Sequence, residues 1–212
     1  MCRLLFVKSA EAFSVAEHLK HFAALSKDSE EYQGHGWGCA VLIDGSWKHY
    51  KNIKPIWEDD LEQFGPTTQL IAHARSAFED KDIVVENNMP FYDDQYVFIF
   101  NGELRGVRIK EKGCIGAEKI FNFIKQFDAN GMEVALEKGV DNIKKRTRLY
   151  KGMNVIITDK DKAYVSCNFT ERPGYFTLWF KEEKGMLQIC SMPYPSEEGW
   201  QKMKNNTKRC FE

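Results

Sequence analysis

The sequence predicts an α+β fold in which two antiparallel sheets pack face to face, with helices on the outside. Two observations support this class. Strand-like runs are joined by short polar turns, and a pair of helices interrupts them near the middle of the chain. At 212 residues, the chain is long enough for one substantial core, so we expect a single domain over 1–212.

The first third of the chain predicts a strand, a helix and a hairpin. Residues 3–8 form the first strand-like run, and small and apolar residues recur at helical spacing over 10–26. Asp44-Gly45 then separates the strand-like runs 36–43 and 46–50, which is a strong hairpin signal.

The rest of the chain predicts two helices within a series of strands. Helical periodicity covers 117–127 and 132–143, with a break at Asn130-Gly131. The remaining strands are predicted at 69–75, 95–101, 153–158, 163–168, 175–181 and 186–190.

Composition excludes several classes of function. Thirty Lys and Arg against 31 Asp and Glu give a net charge of −1, so no strong field favours nucleic acid or an anionic membrane. The basic run 144–148 closes a predicted helix, where cations suit the helix dipole, and we interpret it as a solvated terminus. No apolar run approaches a membrane span. We expect a cytoplasmic protein whose six cysteines are reduced.

Cys2 is the most informative residue in the sequence. Removal of Met1 would place a thiol and a free α-amine on one residue. An α-amine titrates near ~7.7–8.0, so it can take the proton of an adjacent thiol, and the thiolate is the reactive form. The alternative is that Cys2 simply begins a buried strand, because free cysteine is among the most buried residue types.

Four short segments downstream accompany Cys2. They are Gly34-His35-Gly36-Trp37-Gly38, Ala72-His73-Ala74-Arg75-Ser76, Asn88-Met89-Pro90-Phe91 and Phe100-Asn101-Gly102-Glu103. In their order and spacing after an N-terminal cysteine, the chain resembles the class II glutamine amidotransferases, particularly the small stand-alone members whose sequences open Met-Cys-Arg. The resemblance extends over nearly the whole chain.

The resemblance implies a fold and a set of roles. The fold is the four-layer αββα sandwich of the N-terminal-nucleophile hydrolases, and Cys2 hydrolyses the side-chain amide of glutamine. Asn101 and Gly102 match the oxyanion pair, which supplies two donors to the developing negative oxygen. Arg75 matches the arginine that holds the substrate α-carboxylate, a task suited to a bidentate guanidinium. The alternatives are an ordinary Asn-Gly turn and a surface arginine at a strand end.

The sequence departs from the family pattern at several positions. The family's Asp-Ser-Glu reads Gly116-Ala117-Glu118 here, so Glu118 matches as a substrate-binding residue, but the carboxylate that receives the substrate's α-ammonium is missing. In the family's His-Gly-Asp-Gly-Trp-Gly segment, Gln33 replaces the histidine and His35 the aspartate. Met89 also stands where histidine is usual.

These observations favour a cysteine amidohydrolase that acts on glutamine. No metal or organic cofactor is implied, and the expected partners are glutamine or another γ-glutamyl amide, together with a separate ammonia-accepting synthase if the ammonia is passed on. Two alternatives stay open: a hydrolase of another γ-glutamyl amide, which Gly116 motivates, and a non-catalytic binding or regulatory subunit with the same fold.

Overall fold

The protein is described from a computed structural model, in which residues 1–195 and 197–212 are described. The chain divides into two compact units. The first contains Met1–Pro90 and Leu178–Met203, and the second contains Phe91–Thr177 and Lys204–Glu212. The expectation of a single domain stays a prediction, and each unit is described by itself.

A seven-stranded antiparallel sheet forms the first unit. Its strands are β1 (Arg3–Phe13), β2 (Trp37–Ile43), β3 (Ser46–Asn52), β4 (Thr67–Ala74), β9 (Trp179–Glu183), β10 (Met186–Cys190) and β11 (Gln201–Lys202). Their order across the sheet is β11-β9-β10-β1-β4-β2-β3. The first strand of the sequence is therefore the middle strand of the sheet, and the Asp44-Gly45 hairpin between β2 and β3 is confirmed.

Helix α1 (Val15–Lys27) packs on one face of this sheet. Val15, Leu19 and Phe22 are buried among the apolar residues of β1, β2 and β4. The expected helical start near residue 10 is wrong, because β1 continues to Phe13 and the side chain of Ser14 caps the helix by accepting the N–H of Glu17. A serine at this position satisfies a helix donor that otherwise has no partner.

A five-stranded antiparallel sheet forms the second unit. Its strands are β5 (Phe91–Tyr92), β6 (Val97–Val107), β7 (Thr147–Thr158), β8 (Ala163–Cys167) and β12 (Thr207–Phe211), in the order β12-β8-β7-β6-β5. Both predicted helices are present, α2 (Gly116–Lys125) and α3 (Met132–Lys145). Phe121 of α2 stacks on Phe98 of β6, with 5.0 Å between the ring centroids. The two antiparallel sheets and few helices confirm the α+β class.

Two segments differ from the sequence expectation. The predicted strand 175–181 begins instead as a short helix, α4 (Pro173–Phe176), and β9 starts only at Trp179. Pro173 occupies the first turn of α4, where its fixed φ is compatible with a helix and its missing N–H costs nothing. The basic run closes α3 at Lys145 as expected, but β7 then begins at Thr147.

No described helix has the length and apolar character needed to cross a membrane. Within the same described residues, no cluster of three or more His, Cys, Asp or Glu side chains is arranged to hold a metal ion.

The contact between α2 and α3 predicts opposite effects for two Gly→Ala substitutions. A Cβ on Gly139 would lie 2.9 Å from the Cα of Ile124, whereas a Cβ on Gly116 meets nothing within 4 Å. We expect Gly139→Ala to lower the free energy of unfolding by about 1–3 kcal/mol through overpacking. Gly116→Ala should leave it unchanged or raise it by up to about 1 kcal/mol. Urea denaturation checks both, and a Gly139→Ala protein as stable as Gly116→Ala would contradict this packing.

Candidate active site

The nucleophile candidate lies at one end of the first sheet. In the pairing of β1 with β4, Arg3 is opposite Ala74, and in the pairing of β4 with β2, Ala74 is opposite Trp37. Because neighbouring strands are antiparallel, the start of β1, the end of β4 and the start of β2 coincide. Cys2, just before β1, and Arg75, just after β4, are thus brought to the same edge.

The Cys2 thiol has a specific hydrogen-bond partner. Its Sγ donates to the carbonyl oxygen of Ser76, at a distance of 3.7 Å. The residue is partly exposed. Burial of the sulfur raises the pKa of the Cys2 thiol. The positive charge of the chain N-terminus, the backbone hydrogen bond with Ser76 and the charge of Arg75 counteract this rise only in part. The thiol therefore needs a base, or a change in its surroundings, before it reacts at neutral pH.

The residue before Cys2 is held by two side chains. The α-ammonium of Met1 forms an ion pair with Glu31 at 2.6 Å, and the Met1 carbonyl accepts a hydrogen bond of 2.7 Å from Nε2 of Gln33. Gln33 is fully buried. Gln33, at the position of the family's histidine, thus contacts the chain N-terminus.

Arg75 is buried and holds the loop that follows it. Its guanidinium donates to the carbonyl oxygens of Asp82 (2.9 Å) and Val84 (3.4 Å) and to Oδ1 of Asn88 (3.3 Å). Only 6% of Arg75 is exposed, so the interpretation of a solvated surface arginine is wrong. The positive charge of Arg75 lowers the pKa of the Cys2 thiol.

The glycine-rich segment before β2 passes close to the same loop. Gly36 has φ of +105°, and a Cβ there would lie 2.2 Å from Nδ2 of Asn88. Asn88 also donates from Nδ2 to the carbonyl oxygen of Asn52. The backbone at residue 36 therefore requires glycine, for both its conformation and its space.

Asn101 and Gly102 lie inside a strand of the second unit. Strand β6 does not end at Asn101 but continues to Val107, with Asn101 opposite Asn154 and Gly102 opposite Met153 of β7. The alternative of an Asn-Gly turn is therefore wrong. Asn101 is fully buried, and a Cβ on Gly102 would lie 2.2 Å from the carbonyl oxygen of Gly152.

Glu103, the next residue, is engaged in two ion pairs. Its carboxylate lies 2.6 Å from Arg105 and 3.0 Å from Lys151. Partial burial by itself would raise the pKa of Glu103, but these two cations hold it below the ordinary value. The register of β6 and β7 shifts directly after Glu103, and such bulges are common beside active sites because they redirect side chains.

Gly116, which stands where the family pattern has aspartate, is the first residue of α2. Gly116 is exposed and places no side chain there. Glu118, two residues later, accepts a hydrogen bond of 2.5 Å from the backbone N–H of Cys114. An acidic side chain in the first helical turn commonly satisfies such donors, so Glu118 has a structural task at the start of α2.

The predicted site residues are thus divided between the units. Cys2 and Arg75 come together in the first unit, whereas Asn101, Gly102 and Glu118 belong to the second. Sequence reasoning missed the contact of Ser76 with the thiol. The only signal available was the position of Ser76 directly after Arg75.

Comparison with known proteins defines the fold. No family model matches the sequence, and no curated protein matches it. Among solved structures, the chain is similar to a glutamine aminotransferase class-II domain protein from Silicibacter pomeroyi. The TM-score is 0.68 at 12% identity, over 99% of this chain and 94% of that chain. A predicted glutamine amidotransferase from Pseudomonas aeruginosa gives 0.61 at 15% identity, over 99% and 97%.

The glutamine phosphoribosylpyrophosphate amidotransferase from B. subtilis is also similar, with a TM-score of 0.64 at 12% identity. That match covers 90% of this chain but only 42% of the other. The fold is therefore the N-terminal-nucleophile type found in class II glutamine amidotransferase domains. This confirms the fold that the sequence predicts.

The contacts of Arg75 predict a local effect of Arg75→Lys. An ammonium cannot reproduce the fork that contacts Asp82, Val84 and Asn88, so the loop should open more often. We expect peptides covering 77–88 to exchange amide hydrogen for deuterium roughly tenfold faster, as one lost charged hydrogen bond would give. The control is Arg148→Lys, at an exposed arginine of β7. Equal exchange in the two variants would contradict the role of Arg75 in holding this loop.

Proposed function

We propose that this chain is a class II glutamine amidotransferase-like cysteine amidohydrolase, which releases ammonia from the side-chain amide of glutamine through a thioester on Cys2. The observation that carries the proposal is the position of Cys2. It directly precedes the middle strand of its sheet and lies beside the end of β4, which Arg75 follows. The chain has the same fold as the solved structures with which it was compared.

The proposed reaction uses two groups of one residue. After removal of Met1, the α-amine of Cys2 takes the thiol proton, and the thiolate attacks the amide carbon of glutamine. The carbon–nitrogen bond breaks, and the ammonium of Cys2 returns its proton to the departing ammonia. Water then cleaves the thioester to give glutamate and the free thiol. Asn101 and Gly102 are proposed to donate to the negative oxygen of both tetrahedral intermediates.

Removal of Met1 is the step that creates the base. While Met1 is attached, the nitrogen of Cys2 is an amide and cannot accept the proton. The carboxylate of Glu31 forms an ion pair with the Met1 ammonium. Its negative charge also raises the pKa of the Cys2 thiol. We therefore infer that Glu31 also stabilises the new ammonium on Cys2. A chain that keeps Met1 in its native source would instead favour the non-catalytic binding or regulatory subunit.

Arg75 is proposed to bind the α-carboxylate of the substrate. A guanidinium has five N–H donors, so the three bonds to the loop leave donors for a carboxylate. The same loop bonds fix the orientation of the guanidinium before the substrate arrives, which lowers the entropy that binding must overcome.

Gly116 favours a second substrate class. The family's α-ammonium partner is missing at this position, Glu103 is already paired with two cations, and Glu118 accepts the Cys114 N–H. A γ-glutamyl amide whose binding depends less on the α-ammonium would therefore compete with glutamine. Rates measured on glutamine and on small γ-glutamyl amides distinguish the two.

The ammonia acceptor is proposed to be a separate synthase in the cytoplasm. The chain spans 42% of the phosphoribosylpyrophosphate amidotransferase that it resembles.

The direct test measures glutamate formed from glutamine by protein without Met1. We expect Cys2→Ala to abolish turnover, because no other group forms the thioester. Cys114→Ala, at an exposed free cysteine, should retain full activity. Undiminished glutamate production by Cys2→Ala would refute the mechanism.

Restoring the missing carboxylate should strengthen glutamine binding. The Cβ position of residue 116 is open, so Gly116→Asp can be accommodated. We expect it to lower the KM for glutamine by up to roughly fivefold, as an added ion pair at an exposed position would give. Gly116→Asn is the matched control without charge. If the two variants gave the same KM, residue 116 would not face the substrate ammonium.

A further inference from the structure

Asn88 is a fully buried asparagine with a hydrogen bond at each end of its side-chain amide. Its Oδ1 accepts from Nη1 of Arg75 at 3.3 Å, and its Nδ2 donates to the carbonyl oxygen of Asn52 at 2.8 Å. A guanidinium can only donate and a carbonyl can only accept. The two contacts therefore fix which end of the amide faces Arg75.

Asn52, the last residue of β3, is a rigid support for this amide. Its backbone is paired with Trp37 of β2. Its Nδ2 donates to Oδ2 of Asp59 at 2.7 Å, and its Oδ1 accepts from the N–H of Lys54 at 3.1 Å. The same Asp59 oxygen also accepts from Nε1 of Trp37 and from the hydroxyl of Tyr50, both at 2.8 Å. The amide that contacts Arg75 is thus connected to the sheet through Asn52.

The backbone around Asn88 leaves its amide little freedom to turn. Gly36 lies so close that a Cβ there would be 2.2 Å from Nδ2 of Asn88. The N–H of Asn88 itself donates to the carbonyl oxygen of Val85 at 3.0 Å. A side chain held by packing and by hydrogen bonds keeps its position when its partner binds a ligand.

The other two acceptors of Arg75 belong to exposed residues of the loop, Asp82 and Val84. Their carbonyl oxygens move with the loop, whereas Oδ1 of Asn88 is held by the sheet. Asn88 is therefore the contact that orients the guanidinium relative to the sheet edge where Cys2 lies.

All three acceptors of Arg75 are electrically neutral. Burial lowers the pKa of Arg75, because the charged guanidinium loses hydration, while the negative charges of a Cys2 thiolate and of Asp82 raise it. A buried cation is costly unless an anion pairs with it. The neutral amide of Asn88 orients the guanidinium and leaves its positive charge for an anionic ligand, which a carboxylate at the same position would not do.

We propose that Asn88 is a positioning residue that makes the site select substrates with an α-carboxylate. It holds one Nη group of Arg75, so the remaining donors of the guanidinium face the ligand in a fixed plane. An orientation set before binding lowers the entropy cost of the bidentate contact. The inference rests on the proposed function, because it assigns the α-carboxylate of the substrate to Arg75.

The preceding residue, Asn87, provides a matched comparison. It is also a buried asparagine, but its Nδ2 donates to the carbonyl oxygen of Asp82 at 3.0 Å. Asn87 thus holds the backbone of the loop, whereas Asn88 holds the guanidinium. The same substitution at the two positions separates an effect on the loop from an effect on Arg75.

The side-chain nitrogen resonances of Arg75 test this role without any substrate. In protein made with isotope-labelled arginine, the signals that disappear in Arg75→Lys identify this residue, and their line shapes give the rotation rate of the guanidinium. We expect Asn88→Leu, which cannot accept a hydrogen bond, to raise this rate roughly tenfold, as loss of one hydrogen bond to a charged group would give. Asn87→Leu should leave it unchanged.

Kinetics with two amides test the selectivity. The compound γ-aminobutyramide is glutamine without its α-carboxylate, so a change in the orientation of Arg75 should affect glutamine alone. We expect Asn88→Leu to raise the KM for glutamine roughly tenfold and to leave kcat within about twofold. Its kcat/KM for γ-aminobutyramide should stay unchanged. Asn87→Leu should keep the ratio of the two kcat/KM values.

Equal losses with both amides, or the same loss of selectivity in Asn87→Leu, would show a general effect on the loop and overturn the proposal. Should Asn88→Leu fold poorly, the unmodified protein decides. Its Arg75 guanidinium should rotate more slowly than that of the exposed Arg148, and equal rates would overturn the proposal. The resonances need no glutamine. A protein that releases no ammonia from glutamine would refute the proposed function, while the resonances still decide the role of Asn88.

Discussion

The candidate site depends on the antiparallel register of three strands. Since Arg3 is opposite Ala74 and Ala74 is opposite Trp37, the residues just outside β1, β4 and β2 lie together at one sheet edge. A one-residue slip would turn the side chains of a strand to the other face. The core under α1 opposes such a slip, because it would remove Leu5 and Val7 from the apolar cluster that they form with residues of α1. Apolar packing remote from the sulfur therefore determines which groups surround Cys2.

The second unit places its candidate oxyanion residues by close backbone packing. A Cβ on Gly102 would collide with the backbone of Gly152. A Cβ on Gly152 would collide with the ring of Phe176. Asn154, opposite Asn101, donates to the carbonyl of Phe176 and accepts the N–H of Asn168. Backbone and amide groups held in this way have little freedom to reorganise, which suits donors that must already be in place when negative charge develops.

The sequence predicts those features that depend on local chemistry. The Asp44-Gly45 hairpin, the two central helices and the α+β class follow from turn residues and periodicity. The start of α1 differs from the prediction because strand pairing extends β1 through residues that by themselves have helical spacing. The bonds of Arg75 to its loop and of His35 to Ala77 depend on the path of an irregular segment. No periodicity describes such a path, and so this part of the site required the structure.

The most direct measurement is covalent trapping with a glutamine analogue that carries a diazoketone in place of the amide. The protein is first freed of Met1, and the modified residue is located by peptide mass. The account predicts one adduct per chain, on Cys2, and none on a chain that still carries Met1, where the nitrogen of Cys2 cannot act as a base. An adduct on another thiol such as the exposed Cys114, or the absence of any adduct, would contradict it.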